Sequence, residues 1–365
     1  MQTKTPREVI HREIVARGGK IPFVCFMEMA LYCPKLGYYE TKKDSVGRRG
    51  DFYTSVSVGN LFGQLLAFQF VDWIEELKQK NSLVKIVEAG AHTGQLAKDI
   101  LTWLQSERSD VFNQIEYSII EPSALRQEWQ REALKDFAGK VQWASGFDNS
   151  NAPLDGIIFS NELLDAFAVH RLGWDAAHKK WFEWGVAAKD DGFAWAEMGT
   201  HEVGLPDYIC NLPPELLGLL PDRYTIEISP AAENWWRTAA QHLNHGKLVT
   251  FDYGLTDDDW ILPSRTKGTL RGYFQHRYAD DLLANPGEQD LTAHVNFSAI
   301  QRAGESAGLK TDFFGTQSKF LTQVMEKTLR DKTFGEWTSA RGRQFQTLTH
   351  PEHLGRAFRV LVQSR

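Results

Sequence analysis

The sequence predicts an α/β fold: a mostly parallel sheet with crossover helices and an inserted antiparallel segment after the fourth strand. Three observations predict it. Short apolar runs alternate with amphipathic stretches from residue 83 to 167, and again from 231 to 365. That rhythm breaks between 168 and 228, where polar and aromatic residues alternate and Lys189-Asp190-Asp191-Gly192 signals a turn. At 365 residues and 42% hydrophobic content, the chain can fill two packed units, or one large core with an insertion.

The elements follow in order. Residues 6–17 read as an amphipathic helix with Val9, Ile10, Ile14 and Val15 inward. A glycine-rich, charged loop spans 42–54, before an apolar helix at 60–78. Then come a strand (83–90), a helix (94–105), a strand (115–123), a helix (124–137) and a short strand (140–146). Residues 154–167 read as a buried strand running directly into a helix. After the insertion follow a helix (231–243), an apolar strand (246–254), a helix (296–309) and two strands (310–317 and 357–365). Trp174, Trp181, Trp184, Trp195, Trp235 and Trp236 crowd the insertion and the helix after it; they are expected to pack the insertion onto the main domain rather than to stack bases.

Composition excludes several classes. A net charge of −6 gives no global basic field for nucleic acid or an anionic membrane. Cys25, Cys33 and Cys210 are too few and too scattered for a disulfide scaffold or a paired-cysteine metal or redox motif, and they suit a reducing compartment. No apolar run approaches the roughly 18 residues that span a bilayer. The N-terminal stretch lacks an apolar core and carries Glu8 and Glu13, so a mature cytoplasmic start is expected.

Three motifs carry chemistry. The first is Glu88-Ala89-Gly90-Ala91-His92-Thr93-Gly94 at a strand-to-helix turn. Glycines let a backbone approach a ligand, and the following helix N-terminus offers N–H groups and a positive dipole end. His92 stands where a dinucleotide fingerprint needs its second glycine. An acid followed by this glycine spacing suits S-adenosylmethionine, with Glu88 for its ammonium; a plain tight turn is the other reading. The second is Glu121, at the end of the next apolar strand, placed to accept from both ribose hydroxyls. It also reads as a helix-start acid before Pro122 and Ser123; beside Glu88 and Gly90 the ribose role is preferred. Asp148, after the third strand, is a candidate for the adenine edge, or an exposed loop acid. The third is Ser160-Asn161-Glu162-Leu163-Leu164-Asp165, where the fourth strand ends. On a helix, Glu162 and Asp165 share one face and grip a guanidinium. Otherwise Asn161 caps a helix and Glu162 occupies its first turn.

The ordered set of motifs resembles the MidA-like family of class I, S-adenosylmethionine-dependent methyltransferases, which includes a mitochondrial complex I assembly factor that methylates arginine. The resemblance covers roughly residues 22 to 362. It runs through Leu36-Gly37-Tyr38-Tyr39, Gly50-Asp51-Phe52-Tyr53-Thr54, Leu61-Phe62-Gly63, Ile86 to Leu96 and Asn161 to Phe167. It continues through Glu227-Ile228-Ser229-Pro230, Phe251-Asp252-Tyr253-Gly254, Gly268-Thr269-Leu270-Arg271 and Asp280 to Phe297. It implies a Rossmann-like methyltransferase sheet with an insertion after the fourth strand. It implies that Glu88, Gly90, Gly94 and Glu121 bind S-adenosylmethionine and that the loop of Gly50 and Asp51 closes over it. It also implies a protein arginine acceptor, in a respiratory-complex subunit. His92 replaces part of a glycine-rich turn, and Val56-Ser57 replaces Pro-Glu.

The expected domains are a helical cap and closing loop at 1–80, a core at 81–167 and 229–365, and a substrate-side insert at 168–228. Guanidinium is a poor, permanently charged nucleophile. Glu162 and Asp165 are therefore assigned its grip, and His294 is a candidate proton acceptor or a structural histidine. No metal is expected. The departures at His92 and Ser57 leave a rival: a non-catalytic assembly chaperone that keeps the fold. A nicotinamide dehydrogenase is disfavoured by His92.

Overall fold

The structure is a computed structural model that describes residues 5–41, 54–78, 84–147, 153–199, 204–275 and 277–365. The chain folds as two compact units. The larger comprises Lys43–Leu164, Glu233–Gly254 and Phe297–Arg365; the smaller comprises Met1–Lys42, Asp165–Ala232 and Leu255–Asn296.

The larger unit begins with α1 (Leu61–Lys78). There follow β1 (Val84–Ala89), α2 (Gln95–Glu107), β2 (Ile115–Ile120), α3 (Ala124–Ala133), β3 (Val141–Ala144) and β4 (Leu154–Asn161). After the insertion come α4 (Pro230–Gln241), β5 (Leu243–Leu255), α5 (Phe297–Ser306), β6 (Lys310–Thr316), α6 (Gln317–Thr328), α7 (Ser339–Thr349) and β7 (Phe358–Ser364). The sheet order is β6-β7-β5-β4-β1-β2-β3. Pairs from β5 through β3 are parallel, while β7 runs antiparallel to both β5 and β6. The central strands are apolar runs because both faces of a parallel sheet are covered by crossover helices. On α2, Leu96, Ala97, Ile100, Leu101 and Leu104 form the inward stripe. Phe70 of α1 lies 5.1 Å from Phe159 of β4, and Phe62 lies 5.4 Å from Phe251 of β5. Strand order reverses direction at β1, between β2 and β4, and such sheets bind ligands at the carboxyl ends of strands beside that point.

The smaller unit holds an antiparallel sheet. Lys180–Lys189 pairs with His170–Asp175, with the hairpin strand Gly192–Glu197 and with Lys20–Pro22, and Thr225–Ile228 completes the far side. The turn read at Lys189–Gly192 is the hairpin, with Asp190 at φ 49°. Trp174 and Trp181 are cross-strand partners 5.1 Å apart, and Trp184 packs against Trp195 at 6.3 Å. These rings pack on one another within the smaller unit, whereas the sequence predicts that they pack onto the main domain.

Several boundaries differ from expectation. Val15 is 74% exposed; only Ile10 and Ile14 of the first helix (Pro6–Ala16) are fully inward. The helix after β2 stops at Ala133 and tightens into a short 3₁₀ turn, Lys135–Phe137. The cap expected at 1–80 divides between the units: Phe23 and Phe26 pack with Trp195 and Phe193 of the smaller, whereas α1 packs on the large sheet. Residues 255–296 also join the smaller unit instead of the core. Their strands Arg271–Phe274, Arg277–Ala279 and Asp290–Thr292 pair among themselves. Among the described residues, no helix is long and apolar enough to cross a membrane, and no cluster of His, Cys, Asp and Glu is arranged to hold a metal ion.

Candidate functional site

The turn after β1 is left-handed at Gly90 (φ 72°), His92 (φ 46°) and Gly94 (φ 82°). Gly90 donates its N–H to the Ile120 carbonyl at 3.3 Å, which ties the turn to the end of β2. A Cβ at Gly90 would stand 2.8 Å from Leu163 Cδ1, so the turn following β4 presses directly on it. Gly94 is the N-cap of α2 and offers no side-chain cap, which leaves the helix's first N–H groups for another acceptor.

Glu88 is 2% exposed, and the Tyr117 hydroxyl donates to its Oε2 at 2.6 Å. Burial pushes its carboxyl up to about 7; the Tyr117 bond opposes that rise and Asp99 adds to it. Asp99 on α2 is itself pushed up to about 6 by burial, while Gln95 Nε2 donates to its Oδ1 at 2.7 Å. Glu88 is thus a carboxyl whose charged form needs a cation.

Glu121, also 2% exposed, lies just past β2. Its Oε1 accepts the Ser123 N–H at 3.0 Å; its Oε2 accepts Gln130 Nε2 at 3.1 Å and lies 3.6 Å from Arg126 Nη1. The helix-start role is therefore occupied. A carboxylate offers about four acceptor positions, so this role and ribose binding are compatible. The His92 carbonyl also accepts from Gln130 Nε2, at 3.1 Å. Burial, assisted by the Arg126 guanidinium, pushes the His92 imidazole down to about 3, so the ring is neutral near pH 7.

The fourth strand ends differently from expectation. No helix follows β4, and Glu162 and Asp165 do not share a helix face. Glu162 takes φ 52° and donates its N–H to the Phe251 carbonyl at 2.9 Å; only a 3₁₀ turn follows, at Leu164–Ala166. Asp252 of β5 is the physical reason. Its fully buried Oδ2 accepts the N–H of Leu163 at 3.2 Å and of Leu164 at 2.8 Å, and Oδ1 accepts the Tyr253 N–H at 2.8 Å. The cap thus comes from a neighbouring strand, not from Asn161. Asn161 Nδ2 instead donates to Glu162 Oε1 at 3.0 Å, and its buried Oδ1 has no hydrogen-bond partner among the described residues. Sequence reasoning assigned Asp252 no task; the signal was an acid inside an otherwise apolar strand.

Asp165 and His294 belong to the smaller unit, where the Ala293 N–H donates to the Asp165 carbonyl at 3.0 Å. The His294 N–H donates to Thr269 Oγ1 at 3.2 Å, and the Thr269 hydroxyl donates to buried Glu227 at 3.1 Å. His294 Nδ1 is buried without a hydrogen-bond partner among the described residues. Burial, with Arg271 and Arg265 nearby, pushes its imidazole down to about 4. Gly50, Asp51 and Asp148 lie outside the described residues.

The larger unit therefore gathers Glu88, Gly90, Gly94, Glu121 and Glu162 at the carboxyl edge of β1, β2 and β4. Register pairs Ala89 with Ser160, so Asn161 and its unpartnered oxygen follow beside Gly90. A buried acid, an acceptor lacking a donor, uncapped helix N–H groups and a second buried acid fit the ammonium, carboxylate and ribose of S-adenosylmethionine.

Sheet order and site define a class I methyltransferase, and comparison with known proteins agrees. Residues 65–315 match the family of S-adenosyl-L-methionine-dependent methyltransferases designated Methyltransf_28, and the chain belongs to that family. Among its relatives is the mitochondrial protein arginine methyltransferase NDUFAF7 of Mus musculus, 27% identical over 313 residues, covering 79% of this chain and 67% of that protein. The homologue in Drosophila melanogaster is 25% identical over 321 residues, covering 81% and 69%. A crystal structure of a Burkholderia thailandensis protein bound to S-adenosyl-homocysteine superposes with a TM-score of 0.85 at 29% identity, covering 99% of this chain and 92% of that one. The two curated relatives are named mitochondrial proteins, which overturns the expected cytoplasmic location.

Proposed function

We propose that the chain methylates an arginine of a protein substrate. The two relatives named protein arginine methyltransferases support this acceptor. The observation that carries it is the Glu162 turn: a carboxylate just past the end of β4, next to the Leu163 that presses on Gly90, on backbone held by Phe251 and Asp252. In this reading Glu88, Gly90, Gly94 and Glu121 hold the cofactor, whose sulfonium supplies an electrophilic methyl group. Glu162 holds the guanidinium and draws its charge from the attacking nitrogen, so orientation and electrostatics supply most of the acceleration. The methylated guanidinium sheds one proton to solvent, so the transfer leaves its charge unchanged. A respiratory-complex subunit is the narrower form of the acceptor, supported by the family resemblance of the motifs.

The test is transfer of radiolabelled methyl into a mitochondrial protein extract, followed by mass spectrometry of labelled chains. Label on arginine is expected. Label confined to lysine, or to small molecules, would reject the reading.

A further inference from the structure

The side-chain amide of Gln130 joins three strand ends of the larger unit. Its Nε2 donates to the His92 carbonyl and to Glu121 Oε2, each at 3.1 Å, while its Oε1 accepts the Trp143 indole N–H at 3.0 Å. An indole can only donate, so Trp143 fixes which end of the amide faces which partner. Gln130 is wholly buried, where a hydrogen bond is held without solvent competition. It reaches this position because α3 crosses close to the start of α2: a Cβ on Gly94 would lie 3.4 Å from Gln130 Cα.

We propose that Gln130 is a positioning residue for the cofactor site. It sets the spacing between the turn after β1 and the acid after β2, by holding the His92 carbonyl and the Glu121 carboxylate on one amide group. A histidine at φ 46° is a backbone conformation that persists only where its surroundings over-determine it. The Gln130 amide supplies that constraint, in a turn where His92 takes the place of a glycine. The proposal rests on the cofactor reading of Glu88, Gly90, Gly94 and Glu121 given above.

The experiment measures binding of S-adenosyl-homocysteine to the full chain by calorimetry. Gln130→Met keeps length and apolar bulk but removes the donors. It should weaken binding about tenfold or more, the scale of a charge-assisted hydrogen bond lost from the site. In a Glu121→Ala background the same change should cost less than about threefold, because the carboxylate it places is absent. An equal loss in both backgrounds would show that Gln130 does not act through the Glu121 carboxylate and would overturn the spacing role, and unchanged affinity in Gln130→Met would also overturn the proposal. Trp143→Phe leaves Gln130 in place but removes one of the three hydrogen bonds that hold its amide; a loss of about threefold is expected. If Gln130→Met does not fold, wild-type affinity in Trp143→Phe overturns the proposal by itself. A wild-type chain that binds no S-adenosyl-homocysteine would reject the cofactor reading as well, a result distinct from normal wild-type binding with unaffected variants.

Discussion

The hydroxyl of Tyr117 donates to Glu88 Oε2 across 2.6 Å, with both side chains buried. This bond favours the charged carboxylate and opposes the burial that lifts Glu88 to about 7. Tyr117→Phe should raise that value further. At pH 7 fewer molecules then carry the carboxylate needed by an ammonium ligand. Affinity for S-adenosyl-homocysteine should fall about fivefold or more at pH 7 and recover toward pH 8.5, as calorimetry across that range would record. A pH-independent loss would place Tyr117 in the fold and not in the charge of Glu88.

The same shift has a sign for stability. Glu88 titrates near 4.5 when exposed and near 7 when folded, so the folded state holds the extra proton between these values. Stability from this group is complete below pH 4.5 and is lost as pH rises through 7. Asp99 contributes in the same direction. Glu88→Gln should therefore stabilise the unliganded chain at pH 8, by an amount on the order of 3 kcal/mol at most, and leave it little changed near pH 4.5. Denaturant midpoints at the two pH values check this. The same variant should lose most cofactor affinity.

Glu121→Ala removes charge-assisted bonds worth about 1.5–3 kcal/mol each. Cofactor affinity should drop accordingly, and folding stability should drop too, since Ser123, Gln130 and Arg126 lose their partner. A fall in stability with unaltered affinity would leave Glu121 as a helix-start acid only.

His92→Gly should relieve a left-handed residue and raise thermal stability slightly, with little change in cofactor affinity, because its ligand to Gln130 is the backbone carbonyl. A large gain in affinity would mean that the imidazole obstructs the site.

Glu162→Gln keeps shape and removes charge. Methyl transfer in single turnover should fall about a hundredfold or more with cofactor affinity almost unchanged. Normal transfer would reject the carboxylate grip, and lost cofactor binding would move Glu162 to the cofactor site.

Much of this architecture was legible because the crossover rhythm is carried by local periodicity. The strand-and-helix alternation, the hairpin at Asp190 and the glycine turn after β1 each depend on residues close in sequence. What was not legible depends on distant partners. Nothing local announces that Asp252 would hold the backbone after β4 in place of a helix. Nor does the sequence show that Gln130 would reach His92, 38 positions earlier in the chain. The division of 1–80 between the units was hidden for the same reason: nothing local to Phe23 and Phe26 shows that they meet Trp195 and Phe193 rather than the large sheet.

The Asp252 clasp on Leu164 joins residues 88 positions apart, with the whole antiparallel insertion between them. Contacts of such long separation form late, because the intervening loop entropy is spent before they are rewarded. During synthesis, β1 to β4 emerge first, and the turn carrying Glu162 waits without its clasp until the insertion and β5 have been made. Asp252→Ala should therefore leave the early pairing of β1, β2 and β3 unchanged and slow or weaken only the later ordering of the Glu162 turn, as stopped-flow refolding with a probe near residue 163 would record.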